Sequence, residues 1–446
     1  NGGISQQKQY EATGILSASA INLFLSVNPQ SGLVQPKYSL DGGQPLNLGN
    51  PIQAEEEVLT AIAGDPALAV GVIATSRGAS ASSQFSVSWD NININYDESS
   101  ETGTWQQLAD SEGSPAARHE NAYVQAGDKF YLLGGRGSDN KKVDIYDPLA
   151  NAWSASASEP PVALHHFQAV EYKGLIYIMG AFTGSYPGEV PVENIYIYNP
   201  ANDTWHVGPE IPRPRGSAGV VVYEDKIYMA GGLQDGHRGD YVAWFDEYNP
   251  RTKSWKEMPD LPKYRDHFHA ALIQDKLVLA GGRLSDANGN IKSENHPEEL
   301  LPALPAGNTN VFNVVMPDVH VFNFKNNSWD LSAKPDIPTP RAGTAAGVIG
   351  DEVIIIGGES AQADAHQEVE AYNINTNSWR SLSPMLPEQS GSVLGRHGTQ
   401  AVVANNGIYI AAGSGSQGGS PELTSQQVFY PYSETVPNQP ALAESD

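Results

Sequence analysis

Short apolar runs that end in a pair of small residues recur along the chain, and each is followed by a polar stretch with two aromatic residues. The runs are FYLLGG, IYIMGA, IYMAGG, LVLAGG and VIIIGG, which end at Gly135, Ala181, Gly232, Gly282 and Gly358. The two aromatic residues lie seven positions apart in the pairs Tyr146 and Trp153, Tyr198 and Trp205, Tyr248 and Trp255, Phe322 and Trp329, and Tyr372 and Trp379. Most successive tryptophans are about fifty residues apart, a period typical of a four-stranded propeller blade and not of a helical solenoid. The pattern therefore predicts a repeated all-β unit.

These residues resemble the kelch repeat, in which an apolar strand ending in a glycine doublet precedes an aromatic residue and, at a fixed distance, a tryptophan. The resemblance extends over residues 103–431 and includes the central domain of galactose-oxidase-like proteins. It implies a β-propeller of four-stranded antiparallel blades around a central tunnel.

A sixth copy of the repeat is incomplete at its end. The stretch from Arg396 supplies two strands, and QQVFYP supplies a third with Phe429 in the aromatic position, but no tryptophan follows. Trp105, in GTWQQLAD, has no aromatic partner before it. We therefore expect the strand around Trp105 to be the outer strand of the last blade, which removes two open sheet edges. Residues 99–446 are predicted to form a six-bladed propeller.

Residues 1–98 do not fit the repeat. The segments INLFLSV, VQPKYSL, ALAVGVIATS and FSVSWDNINI predict strands separated by Gly, Pro, Asn and Ser clusters. The combination of YSLDGG, AVGVIATSRG and FSVSWDNI resembles part of the concanavalin-A-like lectin domains of bacteria, which implies a β-sandwich that binds sugar. A packing or spacer module is the alternative. The acidic segment 96–104 is the predicted linker to the propeller.

Composition narrows the function classes. The chain has 51 acidic and 26 basic residues, a formal charge of -25, so we expect no nucleic-acid partner. It has no cysteine, which excludes a disulfide framework and the tyrosine–cysteine copper site of galactose-oxidase-type propellers. No apolar run reaches the roughly twenty residues of a membrane span. The chain starts at Asn1 without a leader, which we interpret as a processed chain or a fragment of a secreted, extracellular or cell-surface protein.

A candidate binding rim follows from the register of the repeat. Counting back sixteen residues from the first position of each small-residue pair gives Arg118, Leu164, Arg215, Arg265, Arg341 and Arg396. Histidines stand beside these positions or on the facing loops, at His119, His166, His237, His267 and His397. In so acidic a chain, such a rim is predicted to hold an anion through guanidinium contacts. The alternative is that the arginines bond blade carbonyls as scaffold and the histidines are core aromatics.

Three functions are compatible with this rim. The first is an extracellular protein that binds an acidic glycan or polysaccharide. The second is a polysaccharide lyase, in which Arg215 neutralises a uronate carboxylate, His119 or His166 is the base and Tyr186 is the acid. The third is a protein-interaction or structural propeller in a larger assembly.

No metal or cofactor is predicted, except that calcium has a candidate site. No His-Glu-x-x-His or helical His-x-His spacing is present, so the sequence does not support a catalytic zinc. The fourth repeat carries an insertion in which Asp286, Asn288 and Asn290 alternate as calcium ligands can. The glycine and glutamate of a calcium-binding EF-hand loop are not in register, so a solvated loop is the favoured interpretation.

Overall fold

The chain divides into two compact units, Asn1–Tyr96 and Asp97–Asp446. A computed structural model describes residues 21–27, 33–40, 46–47, 52–53, 102–108, 113–136, 141–289, 297–304, 310–388, 391, 393–404 and 406–432. No helix among these residues is long and apolar enough to span a bilayer. Within these residues, short 3-10 segments lie at Gly236–Arg238 and Glu298–Leu300.

The described part of the first unit is one antiparallel sheet, in which β2 pairs with each of the other three strands. Its strands are β1 (Ile21–Val27), β2 (Leu33–Leu40), β3 (Leu46–Asn47) and β4 (Ile52–Gln53). The predicted strands at ALAVGVIATS and FSVSWDNINI lie outside the described residues, as do the calcium candidate Asn290 and the segment after residue 432. The lectin-like sandwich therefore stays a prediction.

The described residues of the second unit form six antiparallel sheets of four strands each, and a small hairpin. The first strands are β6 (Asn121–Ala126), β10 (Ala169–Tyr172), β16 (Gly219–Tyr223), β20 (Ala271–Ile273), β24 (Ala345–Ile349) and β28 (Ala401–Ala404). The second strands are β7 (Lys129–Gly134), β11 (Leu175–Ile178), β17 (Lys226–Ala230), β21 (Lys276–Leu279), β25 (Glu352–Ile356) and β29 (Gly407–Ala411). The third strands are β8 (Asp144–Asp147), β14 (Asn194–Asn199), β18 (Phe245–Asn249), β22 (His320–Asn323), β26 (Val369–Asn373) and β30 (Gln426–Tyr430). The fourth strands are β9 (Ala152–Ala155), β15 (Thr204–Glu210), β19 (Ser254–Glu257), β23 (Ser328–Trp329), β27 (Ser378–Ser381) and β5 (Thr104–Leu108). The hairpin in the second blade pairs β12 (Phe182–Thr183) with β13 (Val190–Pro191).

The six first strands contact one another in a closed cycle. β6 contacts β10, and the contacts continue through β16, β20, β24 and β28 back to β6. These strands therefore surround a common axis, and the predicted class, an all-β propeller with six blades, is confirmed. Apolar side chains fill the spaces between neighbouring blades: Leu277 and Leu279 of the fourth blade pack in one cluster with Val221 and Tyr228 of the third.

The ring closes through the strand that precedes the first blade. β5 pairs with β30, and Trp105 lies directly opposite Phe429 with the ring centroids 4.9 Å apart. The indole nitrogen of Trp105 donates to the carbonyl oxygen of Ser383 at 2.9 Å, which joins this strand to the fifth blade. Because β5 and β30 belong to opposite ends of the propeller sequence, this pairing holds the ring shut.

The recurring aromatic pairs are cross-strand neighbours. In each blade the aromatic residue of the third strand is directly opposite the tryptophan of the fourth. Their ring centroids are 4.9–5.3 Å apart in all six blades. Such pairs stabilise a sheet beyond the burial of their area. In the first five blades, the spacing of seven residues seen in the sequence is the distance along the chain across one hairpin.

Candidate functional site

The connections that enter the first strands meet on the propeller axis. One residue from each has a left-handed backbone, with φ between 52° and 66°: Glu120, His166, Ser217, His267, Gly343 and Gly398. Backbone hydrogen bonds of 2.8–3.2 Å join neighbouring connections all the way round, and the bond from Asn121 to Gly398 completes the circle. A cavity of about 20 Å³ lies within this circle, enough for about one water molecule. The site chemistry is therefore on the loop face and not along an open tunnel.

Three histidines from three blades converge on this axis. The ring centroids of His166, His237 and His267 lie 4.9–5.1 Å from one another. One ring nitrogen of each is within 4.8 Å of those of the other two. All three side chains are at most 2% exposed. We call these residues the axial histidines.

Charged side chains surround the axial histidines in two groups. Buried Glu189 pairs with Arg136 and accepts from Nδ1 of His237 at 3.0 Å. On the opposite side, Nη1 of Arg283 donates to Oε1 of Glu359 at 2.5 Å.

A second set of contacts completes this ring of charges. Nε2 of His397 lies 3.6 Å from Oε2 of Glu359. Oxygens of Glu120 lie 3.7 Å from Nε2 of His166 and 3.9 Å from Nδ1 of His397. The described part of the loop face thus places carboxylates next to guanidinium and imidazole groups at low exposure, where electrostatic interactions are strong.

Burial sets the protonation of the axial histidines. Loss of solvent, followed by the charge of Arg136, puts the pKa of His166 well below its usual value. Loss of solvent and the charge of Arg283 do the same to the pKa of His267. Burial also lowers the pKa of His237, although its hydrogen bond to Glu189 acts in the opposite direction. All three imidazoles are therefore neutral near pH 7.

The acids of the site respond differently to their neighbours. Burial raises the pKa of Asp266 to about 6, although Arg283 and Ser285 act against it. Burial acts to raise the pKa of Glu189 too, but the hydrogen bond that His237 donates and the charge of Arg136 outweigh it and bring that pKa to about 2. The site therefore holds a firmly ionised carboxylate beside His237.

The five predicted rim arginines lie inside their blades and do not line the rim. Each is at most 1% exposed: Arg118, Arg215, Arg265, Arg341 and Arg396. Each guanidinium donates to the carbonyl oxygen of the residue sixteen positions further on, at 2.6–2.9 Å. This arrangement agrees with the alternative that the arginines are part of the scaffold. Their N–H groups already donate to blade carbonyl oxygens and so are not free to bind an anion.

The lyase candidates Tyr186, His166 and Arg215 do not meet in one place. Tyr186 is half exposed above His237, at 5.1 Å between ring centroids, and His166 lies beside His237 as described. Arg215, by contrast, bonds carbonyls of its own blade and pairs with Asp246 at 2.8 Å. The guanidinium that was expected to neutralise a uronate is therefore committed elsewhere.

The remaining predicted site residues are His119, His397 and the calcium candidate Asp286. Nδ1 of His119 lies 2.7 Å from Oε1 of Glu422, and His397 is in the charged group described above. For calcium, Asp286 is buried and its Oδ1 accepts from the backbone of Asn288 at 2.8 Å. That bond is an ordinary turn contact and does not by itself indicate an ion.

Sequence reasoning missed Glu189. It also missed the convergence of the axial histidines, which come from connections of three different blades. A signal was available, because His166 and His267 occupy the same register position of the second and fourth repeats, within the connections that enter those two blades.

Comparison with known proteins agrees with the repeat structure. Residues 88–282 match the model of the KLHDC2/KLHL20/DRC7 kelch-repeats domain, and residues 340–386 match the kelch motif. The solved structure of YjhT aligns with a TM-score of 0.55 at 16% identity, covering 70% of this chain and 95% of that one. The chain therefore carries kelch repeats that are folded as a six-bladed propeller.

Curated relatives of this chain include kelch-like proteins and scruins. Kelch-like protein terF of Aspergillus terreus is 30% identical over 334 residues, which are 70% of this chain and 64% of the relative. Kelch-like protein 35 of Mus musculus is 28% identical over 30% of this chain and 22% of the relative. Beta-scruin of Limulus polyphemus is 28% identical over 29% of this chain and 14% of the relative. The chain spans less than two thirds of the length of each of these relatives.

Proposed function

We propose that the propeller is a protein-interaction module that binds a partner chain on its loop face, around Tyr186 and Arg136. The exposed ring of Tyr186 carries this proposal. Tyr186 is 53% exposed, and its ring lies 5.3 Å from the guanidinium carbon of Arg136, which is itself 20% exposed at the side chain. Tyrosine and arginine are the residue types that most often dominate the energy of a protein interface.

Buried residues hold the side chains of Tyr186 and Arg136 in place before any partner binds. Arg136 is held by buried Glu189, and the ring of Tyr186 rests against buried His237. A side chain that is already held in place loses little conformational entropy when a partner binds. Val190, 55% exposed on the neighbouring hairpin, extends the apolar part of the same surface.

The relatives favour this proposal over glycan binding. Their names place them among kelch-like proteins and scruins, and none of the names refers to a carbohydrate. The commitment of Arg215 and the other four buried arginines to blade carbonyls also leaves the predicted anion-binding rim without its cations. Glycan binding and lyase activity remain as outcomes of the test.

A photo-crosslinking residue in place of Tyr186 tests the proposal directly in an extract of the source organism. We expect a discrete crosslinked protein at position 186 and none from the same residue at Leu331, which is 85% exposed. Excess unlabelled chain should compete, and excess Tyr186→Ala/Arg136→Ala chain should not. If the two positions capture the same proteins, the surface is not an interface.

A glycan array with the same variants separates the other functions. The wild-type chain could retain an acidic glycan that Tyr186→Ala does not retain, while no crosslink is suppressed by unlabelled chain. That result would indicate that the surface binds a glycan and not a protein. Release of unsaturated uronate products would indicate the lyase.

A further inference from the structure

We propose that the axial histidines His166, His237 and His267 form a binding site for a divalent transition-metal ion, with zinc as the type ion. The proposal goes beyond the interaction surface and does not depend on it, because metal binding is measured without a partner.

The hydrogen bonds of His165 set the tautomer of His166. Nε2 of His165 lies 3.0 Å from the carbonyl oxygen of Gly184, and a carbonyl can only accept, so this nitrogen carries the proton. Nδ1 of neutral His165 is then an acceptor. Nδ1 of His166 lies 2.6 Å from it and must donate. The lone pair of His166 is therefore on Nε2.

Carboxylates set the other two tautomers in the same sense. Nδ1 of His237 lies 3.0 Å from Oε1 of Glu189, and Nδ1 of His267 lies 2.5 Å from Oδ1 of Asp266. Both Nδ1 atoms donate, so Nε2 holds the lone pair in each ring. Metal-binding histidines show the same arrangement, in which a carboxylate or other acceptor engages the nitrogen that does not bind the metal.

Donors for these three lone pairs are scarce. The guanidinium of Arg136 approaches Nε2 of His166 at 3.5 Å, and that of Arg283 approaches Nε2 of His237 at 3.4 Å. Both distances are at the outer limit of a hydrogen bond. Nε2 of His267 is buried and has no hydrogen-bond partner among the described residues. A bound cation satisfies all three lone pairs at once.

The ligand set and the charge indicate which ions fit. Three neutral imidazoles suit zinc, copper, nickel or iron, whereas calcium and magnesium prefer oxygen ligands. Arg136 and Arg283 oppose a cation, but four carboxylates border the same space, those of Glu120, Glu189, Asp266 and Glu359. Glu120, with Oε2 3.7 Å from Nε2 of His166, is within reach as a fourth ligand.

Cobalt and zinc titrations of the chelator-treated full chain test the site. We expect one cobalt ion per chain, with the visible absorption of low-coordinate cobalt, displaced by one equivalent of zinc. His237→Ala should weaken binding by about 100-fold or more, because one of three ligands is lost. His366→Ala is the matched control, since His366 is also buried on the loop face and bonds Glu368 at 3.0 Å, outside the axial histidines. It should bind cobalt as the wild type does.

Variants of the carboxylates that accept from the Nδ1 atoms, and a direct readout, complete the test. Asp266→Asn and Glu189→Gln should weaken binding by about 10- to 100-fold, as for other groups that hydrogen-bond to metal-binding histidines. Zinc should also shift the Nε2 resonances of the three histidines in the wild-type chain, which needs no variant to fold. Absence of cobalt binding at micromolar concentration, or equal binding by His237→Ala, overturns the proposal.

Discussion

Nη1 of Arg118 donates to the carbonyl oxygen of Gly134, sixteen residues further along the chain, at 2.9 Å. The same bond recurs at the same spacing in four other blades. In each case it ties the connection that enters a blade to the end of that blade's second strand. The five recurring arginines, which the sequence suggested as a rim of cations, thus form structural hydrogen bonds inside their blades.

The first prediction is that Arg215→Ala destabilises the propeller by about 3–5 kcal/mol, the range for removing one partner of a buried ion pair. Arg215 is fully buried and pairs with Asp246, so the substitution removes one of the two guanidinium groups beside that buried carboxylate, the other being that of Arg213. Chemical denaturation monitored by tryptophan fluorescence measures the change. Arg251→Ala is the control, because Arg251 is exposed and should change stability by less than about 0.5 kcal/mol. Equal effects would remove the scaffold role.

The second prediction concerns the first glycine of the fifth doublet. Gly357 has φ +61°, and a Cβ there would be 2.2 Å from the carbonyl oxygen of Arg396 in the next blade. Gly127 has φ +59° but nothing within 4 Å of its Cβ position. Gly127→Ala should therefore cost only the left-handed backbone, about 1–2 kcal/mol, and Gly357→Ala should cost clearly more. Thermal unfolding of the two variants compares them, and similar melting temperatures would exclude the close approach as the reason for the glycine.

The third prediction concerns closure of the ring. Trp105→Ala should destabilise the propeller by about 3–5 kcal/mol, as expected for deleting a buried tryptophan. Trp105 is 8% exposed and packs on Phe429. Trp105→Phe keeps a ring against Phe429 and should cost distinctly less. Calorimetry measures both variants, and a neutral Trp105→Ala would show that β5 contributes little to holding the ring shut.

The fourth prediction is a pH dependence that arises from Glu359. Burial acts to raise its pKa, but His397, Arg283 and the amide of Gly418 outweigh burial and bring the pKa to about 2 from the usual 4.5. A depressed pKa stabilises the fold above the unfolded-state value, and this stabilisation is lost as pH falls through the folded-state value. Glu359→Gln should therefore cost most near pH 7, about 3 kcal/mol.

The difference between wild type and Glu359→Gln should shrink as the pH falls below about 4.5 towards 2. Denaturant unfolding between pH 7 and 3 measures it. Glu298→Gln is the control, since Glu298 is exposed, and it should show no such trend. A difference that stays constant with pH would mean that the carboxylate charge of Glu359 is not what stabilises the fold.

The sequence by itself determined the repeat, the number of blades and the all-β class. These features depend on contacts between residues close in the chain, such as Tyr146 opposite Trp153 across one hairpin. They also depend on a fixed local spacing, which a single sequence displays directly. The same regular spacing allowed Trp105 to be assigned to Phe429. In every other blade the aromatic residue and the tryptophan are both present, and only these two residues lacked a partner in the sequence.

Only the tertiary structure decided which way the recurring arginines point and which histidines meet. A spacing of sixteen residues is equally compatible with a guanidinium on the rim and with one turned back onto its own blade. The guanidinium groups are buried and donate to carbonyl oxygens such as those of Gly134 and Gly231, so they turn back onto their own blades. His166, His237 and His267 belong to three blades, and they become neighbours only because the ring brings its connections together on one axis.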